Sequence, residues 1–186
     1  MIGKSTASIM LASKLLYPCI STDDIGNILQ TVSDISPMKG QNYLDYYAYS
    51  EKQQLIDDII EYHRQHIPAI YSLIDIHSTW STPLVMEGWA LYPEQMAKIR
   101  NDNVFSVWLI ADDGLLKKRL NMNKEFYQNA KEPEKVIENY LYRSEWHNQN
   151  LVEQCKARNY NHIIVKEETT TEQVVDTIWG MLNRAP

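Results

Sequence analysis

Residues Gly3-Lys4-Ser5-Thr6 combine side chains that handle phosphate. A glycine, a lysine and a hydroxyl residue at the head of a helical pattern form the second half of the phosphate-binding motif G-x-x-x-x-G-K-[ST]. Lys4 is placed to reach the β- and γ-phosphates of a nucleotide as a point charge, and the Ser5 hydroxyl to ligate Mg²⁺. The main-chain N–H groups of Gly3 to Thr6 open a helix whose positive end favours an anion. The first glycine of the motif and the buried strand that carries it do not stand ahead of Gly3. Much of the backbone nest that wraps phosphates is missing with them. The same tetrapeptide also begins ordinary helices by chance, so its company decides its meaning.

Two further polar groups follow short apolar runs. Thr22-Asp23-Asp24 ends Cys19-Ile20-Ser21, and Glu87-Gly88 ends Pro83-Leu84-Val85-Met86. Asp23 is placed to accept a proton from a substrate hydroxyl or to hold Mg²⁺ through water. Glu87 is placed to orient the metal or the attacking group. Asp23 and Asp24 serve equally well as helix caps, and Glu87 as a strand-end charge in solvent. Trp89 follows directly and reads either as a wall for an acceptor or as a core indole. Phosphoryl transfer also needs cations around the moving oxygens. Lys117, Lys118, Arg119, Lys124, Lys131 and Arg143 supply them from a region that can close as a lid, or they form a solvated helix face.

The elements that must hold these residues follow from periodicity. Helical stripes are expected at 4–16, from 24 to about 33 with Asp23 or Asp24 as cap, at 51–78 with a break at Pro68, at 93–100, 112–122, 134–158, and at 171–183 with Thr170 or Thr171 as cap. Strands are expected at 19–21, 83–88, 104–111 and 162–165. Residues 34–50, with Pro37, Gly40, Tyr43, Tyr46, Tyr47 and Tyr49, read as irregular, and the polar stretch 123–134 as a mobile connection. Alternating strands and helices predict an α/β fold with a parallel sheet. Four strands are visible and a fifth is expected just before Gly3. Ligands bind such sheets outside the carboxyl ends of the strands. There Gly3 to Thr6, Thr22 to Asp24 and Glu87-Gly88 would converge.

Composition narrows the classes. At 186 residues, 44% hydrophobic and 23% charged, the chain fits one domain of a soluble globular protein. A net charge of −6 without a basic stripe argues against nucleic acid as a partner. Cys19 and Cys155 lack metal spacing and read as reduced, buried thiols of a cytoplasmic protein. No apolar run reaches membrane-spanning length. His63 and His66 lie one helical turn apart with Asp58 nearby. Zinc would need further ligands that cannot be placed, so an exposed helix face is the expectation.

The succession G-K-S-T with its helix, then I-S-T-D-D-I, then L-V-M-E-G, then V-W-L-I-A-D-D-x-L-L-K-K-R-L resembles the P-loop small-molecule kinases, most nearly the 2-phosphoglycerate kinase-like group. The resemblance spans nearly the whole chain in element order, through short motifs. It implies a three-layer, five-stranded parallel sheet flanked by helices, its first strand missing here, as one domain over 1–186. A helical, tyrosine-rich insertion would occupy about 34–80 and a lid about 119–145. It implies MgATP as phosphate donor and a small hydroxylated acceptor. Gly3, Lys4, Ser5 and Thr6 would bind the nucleotide, Ser5 and Glu87 the metal, and Asp23, Asp24, Glu87, Gly88 and Trp89 the acceptor. Asp23, Lys4, Arg119 and Arg143 would be catalytic. Gly26 departs from the pattern. Relatives often carry an arginine there that holds an acidic substrate, which argues against a phosphorylated acid as acceptor. Two other readings stand beside the kinase. One is a non-catalytic or truncated protein keeping a nucleotide-binding-like fold as an interaction module. The other is a nucleotide-dependent hydrolase or switch. A missing central strand would also leave open edges through which copies could associate.

Overall fold

The computed structural model describes residues 2–33, 36, 38 and 40–184. Its chain order is α1 (Lys4–Leu15), β1 (Cys19–Ser21), α2 (Thr22–Val32), α3 (Tyr43–Tyr49), α4 (Lys52–Thr79), β2 (Val85–Glu87), α5 (Pro93–Met96), β3 (Trp108–Ala111), α6 (Leu115–Met122), a 3₁₀ turn (Lys124–Phe126), α7 (Pro133–Arg158), β4 (His162–Val165) and α8 (Thr171–Leu182). The fold is mixed α/β and mostly helical. Its strands form two separate parallel pairs rather than one sheet. β1 lies beside β2 with Ile20 opposite Met86, and β3 beside β4 with Ile110 opposite Ile164.

Helices cover both faces of β3. Ala111 packs with Ala7, Leu11, Leu115 and Val165 in a core shared by α1, α6, β4 and α8. Trp108 and Ile110 turn to the opposite side, against Ile25, Ile70, Leu151 and Cys155. This alternation follows from the two-residue period of a strand. A third cluster joins Tyr46 and Tyr47 of α3 to Leu55 and Val136 at the starts of α4 and α7.

Several boundaries differ from the sequence reading. The tyrosine-rich stretch contains a helix, α3, where irregular chain was expected. Asn42 caps it by accepting from the Leu44 N–H at 2.9 Å. α4 runs unbroken through Pro68. One lost main-chain bond is outweighed by a buried stripe of Leu55, Ile59, His63, His66 and Ile70. His63 and His66 therefore face the interior, not solvent as expected. The third strand begins only at Trp108 although apolar residues begin at Val104, and the next helix begins at Leu115 after Gly114. Ser21, not Asp23 or Asp24, caps α2 by accepting from the Asp23 N–H at 3.2 Å. Thr170 caps α8 as expected, in a reciprocal arrangement with Gln173. Among the described residues no helix is long and apolar enough to cross a membrane.

Candidate functional site

The start of α1 is built without a lid of its own. Gly3 sits in the left-handed region (φ 84°), which turns the chain sharply into the helix, and no side chain caps the helix there. No acidic residue lies in the first turn. The N–H groups of Lys4, Ser5 and Thr6 thus present a positive end that no side chain of the helix's own first turn compensates.

Glu87 faces this helix start from the end of β2. It is buried, ion-paired with Lys4 and bonded by the Ser5 hydroxyl at 3.1 Å. The alternative of a strand-end carboxylate in solvent is thereby overturned. A buried carboxylate demands a cation and a donor, and both come from the tetrapeptide singled out at the N-terminus. Gly88 continues from Glu87 with φ 152°, and a Cβ there would lie 1.7 Å from the Thr22 hydroxyl oxygen. The ends of β1 and β2 meet at this contact, which leaves room for glycine alone.

Other expected residues lie around this centre at different distances. Arg119 of α6 comes to the N-terminal loop, its Nη1 3.9 Å from the position of a Cβ on Gly3. Asp23 lies on the side of Tyr62 and His66, whose titration it influences, and no hydrogen bond or ion pair joins it to Lys4, Ser5 or Glu87. Asp24 acts with Glu87 on the thiol of Cys19, which burial first of all raises above its ordinary range. Thr6 is exposed. Of the other bases proposed for a lid, Lys118 pairs with Glu167, and Lys131 with Asp45 at 3.5 Å. Cys19 is only half-buried, whereas Cys155 is fully buried and its thiol is pushed up to about 11, chiefly by burial.

Gly26 has a packing reason. A Cβ at this position would stand 2.5 Å from the Tyr62 hydroxyl and 2.8 Å from the His66 ring. A side chain here, an arginine included, would have to push the Tyr62 and His66 rings aside.

Arg143 belongs to a second constellation, on α7. Its guanidinium lies over the rings of Trp89 at 4.9 Å, Tyr47 at 5.2 Å and Tyr140 at 5.3 Å. Trp89 in turn stacks on His147 with ring centres 4.5 Å apart. Burial, then the positive charges of Arg143 and Lys4, hold the His147 imidazole down at about 3. The Arg143 Nε, Ser144 Oγ and His147 Nδ1 atoms are buried without hydrogen-bond partners. Sequence reading overlooked Ser144, His147 and Asn148. Their only signal was the four-residue spacing of Arg143 and His147, and of Ser144 and Asn148, on one long helix.

The histidine pair of α4 is buried beside the rings of Tyr62 and Tyr92. His63 shares a hydrogen bond with the Tyr92 hydroxyl at 3.0 Å, while both ring nitrogens of His66 lack partners. Burial holds both imidazoles below their ordinary value, His63 well below it. The Asp58 carboxylate accepts from Tyr46 at 3.1 Å. Among the described residues no group of three His, Cys, Asp or Glu side chains is placed to hold a metal ion.

A cavity of about 630 Å³ separates the two strand pairs. β2 borders it on one side and β3 with its apolar approach on the other, and residues of α1, α4, α7 and α8 complete its lining. No protein-family model, curated protein or solved structure matches this chain.

Proposed function

We propose that this protein is an ATP-dependent phosphotransferase acting on a hydroxyl group of a small molecule, with the architecture of a P-loop kinase. The observation that carries this reading is the meeting of Lys4, Ser5 and buried Glu87 at the uncapped start of α1. The pairing pattern β1–β2 and β3–β4 adds support, because a five-stranded, three-layer sheet that lacks its central strand would leave two such pairs.

The donor set suits a nucleotide and its magnesium ion. Ser5 Oγ and Glu87 Oε1 are adjacent hard oxygens, and Mg²⁺ bound with phosphates needs few protein ligands beyond these. Bound MgATP would supply the phosphoryl group and the charge that organises it. The protein's own groups then have distinct tasks. Lys4 exchanges its pairing with Glu87 for phosphate oxygens, freeing the carboxylate for the cation side. The N–H groups of Lys4 to Thr6 bind the anion, and Arg119 beside Gly3 balances charge on the transferred group. Asp23 takes the proton from the acceptor hydroxyl. Asp24, Gly88 and Trp89 form the acceptor side, with the caged Arg143 behind Trp89. The filled space at Gly26 argues for an acceptor held without an arginine from α2.

The second reading, an interaction module with a nucleotide-binding-like fold, draws on the cavity between the pairs and on the mutual neutralisation of Lys4 and Glu87. Calorimetric titration of MgATP into the 186-residue protein separates the two. Saturable binding that disappears in a folded Lys4→Ala variant is the expected result. Absence of binding by the folded wild-type protein would overturn the kinase reading and favour the module.

A further inference from the structure

The edges facing the cavity are main-chain edges. In a parallel ladder, alternate residues direct their N–H and C=O groups to opposite sides. Val85 N–H donates to Pro18 C=O toward β1, so Met86 presents its N–H and C=O to the cavity. Trp108 donates to Asn161 and Asp112 to Val165, both toward β4, so Leu109 and Ala111 direct their main-chain groups away from β4, and Leu109 lines the cavity. Ala111 is already satisfied. Its N–H donates to Asn148 Oδ1 at 2.7 Å and its C=O accepts from Asn148 Nδ2 at 3.0 Å, so one side chain imitates a neighbouring strand. No strand or side chain among the described residues does the same for Met86 or Leu109. The lining between them is apolar, with Leu11, Val85, Phe105 and Val107. The end near Glu87 is polar and holds the unpartnered Ser144 Oγ and His147 Nδ1.

We propose that this cavity binds one extended, apolar segment of a partner polypeptide, which inserts between β2 and β3 and joins the two pairs into a single sheet. Two facing main-chain edges select a backbone rather than a small apolar molecule, because unsatisfied N–H and C=O groups need matching acceptors and donors. The apolar walls select valine- or isoleucine-like side chains. The polar end selects serine or glycine at the carboxyl end of the segment, where Ser144 and His147 wait for partners. Glu87 and Ala111, the last residues of β2 and β3, both lie toward that end, and a segment that continues the parallel pairing of β1 with β2 and of β3 with β4 has its carboxyl end there. At about 3.3 Å per residue, roughly three to four residues match the flanking strands β2 and β3, and a hexapeptide spans them with a residue to spare at each end. This inference does not depend on nucleotide binding.

The test uses an acetylated hexapeptide of valine and isoleucine ending in serine and glycine, and the same peptide methylated at its internal amide nitrogens. The unmodified peptide is expected to bind saturably to the monomeric protein and to slow hydrogen exchange at the Met86 and Leu109 amides. The methylated peptide is expected to bind at least about tenfold more weakly, having lost its main-chain donors. Equal binding of the two peptides, or binding that leaves both amides unprotected, would overturn the proposal. So would a dimer in sedimentation with these amides already protected, since a second copy would then fill the cavity. Protection seen only when the segment is joined covalently ahead of Ile2 would overturn the partner as its source.

Discussion

The pair formed by Lys4 and Glu87 has a stability consequence apart from any ligand. Glu87 is almost fully shielded while Lys4 keeps about a quarter of its side chain exposed (24%). Removing the lysine strands a carboxylate in the interior, and breaking such a pair costs more than the pair itself contributes. Lys4→Met should lower the unfolding free energy by about 3 kcal/mol, and Glu87→Gln in the same chain should restore most of it. Urea denaturation of the single and double variants checks this, and a double variant no more stable than the single one would refute it. At this scale the tetrapeptide and Glu87 were legible in the sequence, because strand-end placement predicts their convergence. The cage around Arg143 was not. An i, i+4 pattern on a helix of 26 residues tells which residues share a face but not which rings arrive from α3 and from the segment after β2.

Elements were legible where their own periodicity decides them, and less so where a neighbour decides. α1, β1, β4 and α8 fall where their patterns place them. Residues Val104 to Val107 are apolar enough for a strand, yet the ladder begins at Trp108, because a strand exists only where another edge accepts its hydrogen bonds. α3 is tyrosine-rich and weak in helix propensity, but its rings pack on Phe126 and Tyr140, and tertiary contact overrides propensity. Asn148 shows the same dependence in reverse, since a helix side chain completes the edge of a strand. Asn148→Leu keeps the volume and leaves the Ala111 N–H and C=O without partners. It should cost about 2–4 kcal/mol, as two polar groups lose their bonds. Thermal unfolding of the variant measures the loss, and an unchanged midpoint would show that these two bonds contribute nothing.

Taken whole, the molecule encloses three imidazoles, His63, His66 and His147, each with its affinity for protons reduced chiefly by burial. Below the ordinary value of 6.5 the unfolded chain takes up protons that the folded protein refuses. Their contribution to stability is therefore intact above pH 6.5 and declines as the pH falls toward the folded value of about 3 for His147. That residue alone implies a loss of about 2 kcal/mol between pH 7 and pH 5. The urea midpoint should fall over this range, and His147→Phe, which keeps a ring against Trp89, should flatten the dependence. A variant with the wild-type slope would assign the effect elsewhere. The division of strands into two pairs has a further bearing, on the order in which the chain assembles. Among the described residues no strand meets a sequence neighbour through a hairpin. β1 reaches β2 only across about 60 residues, and β3 reaches β4 across about 50, so each pairing closes a loop at roughly 3–4 kcal/mol of chain entropy. Helices need contacts only four residues away, so α4 and α7 can take shape while both sheets still lack partners. The long helices are thus expected to form the early framework of folding, with the strands, though they sit at the centre, pairing late.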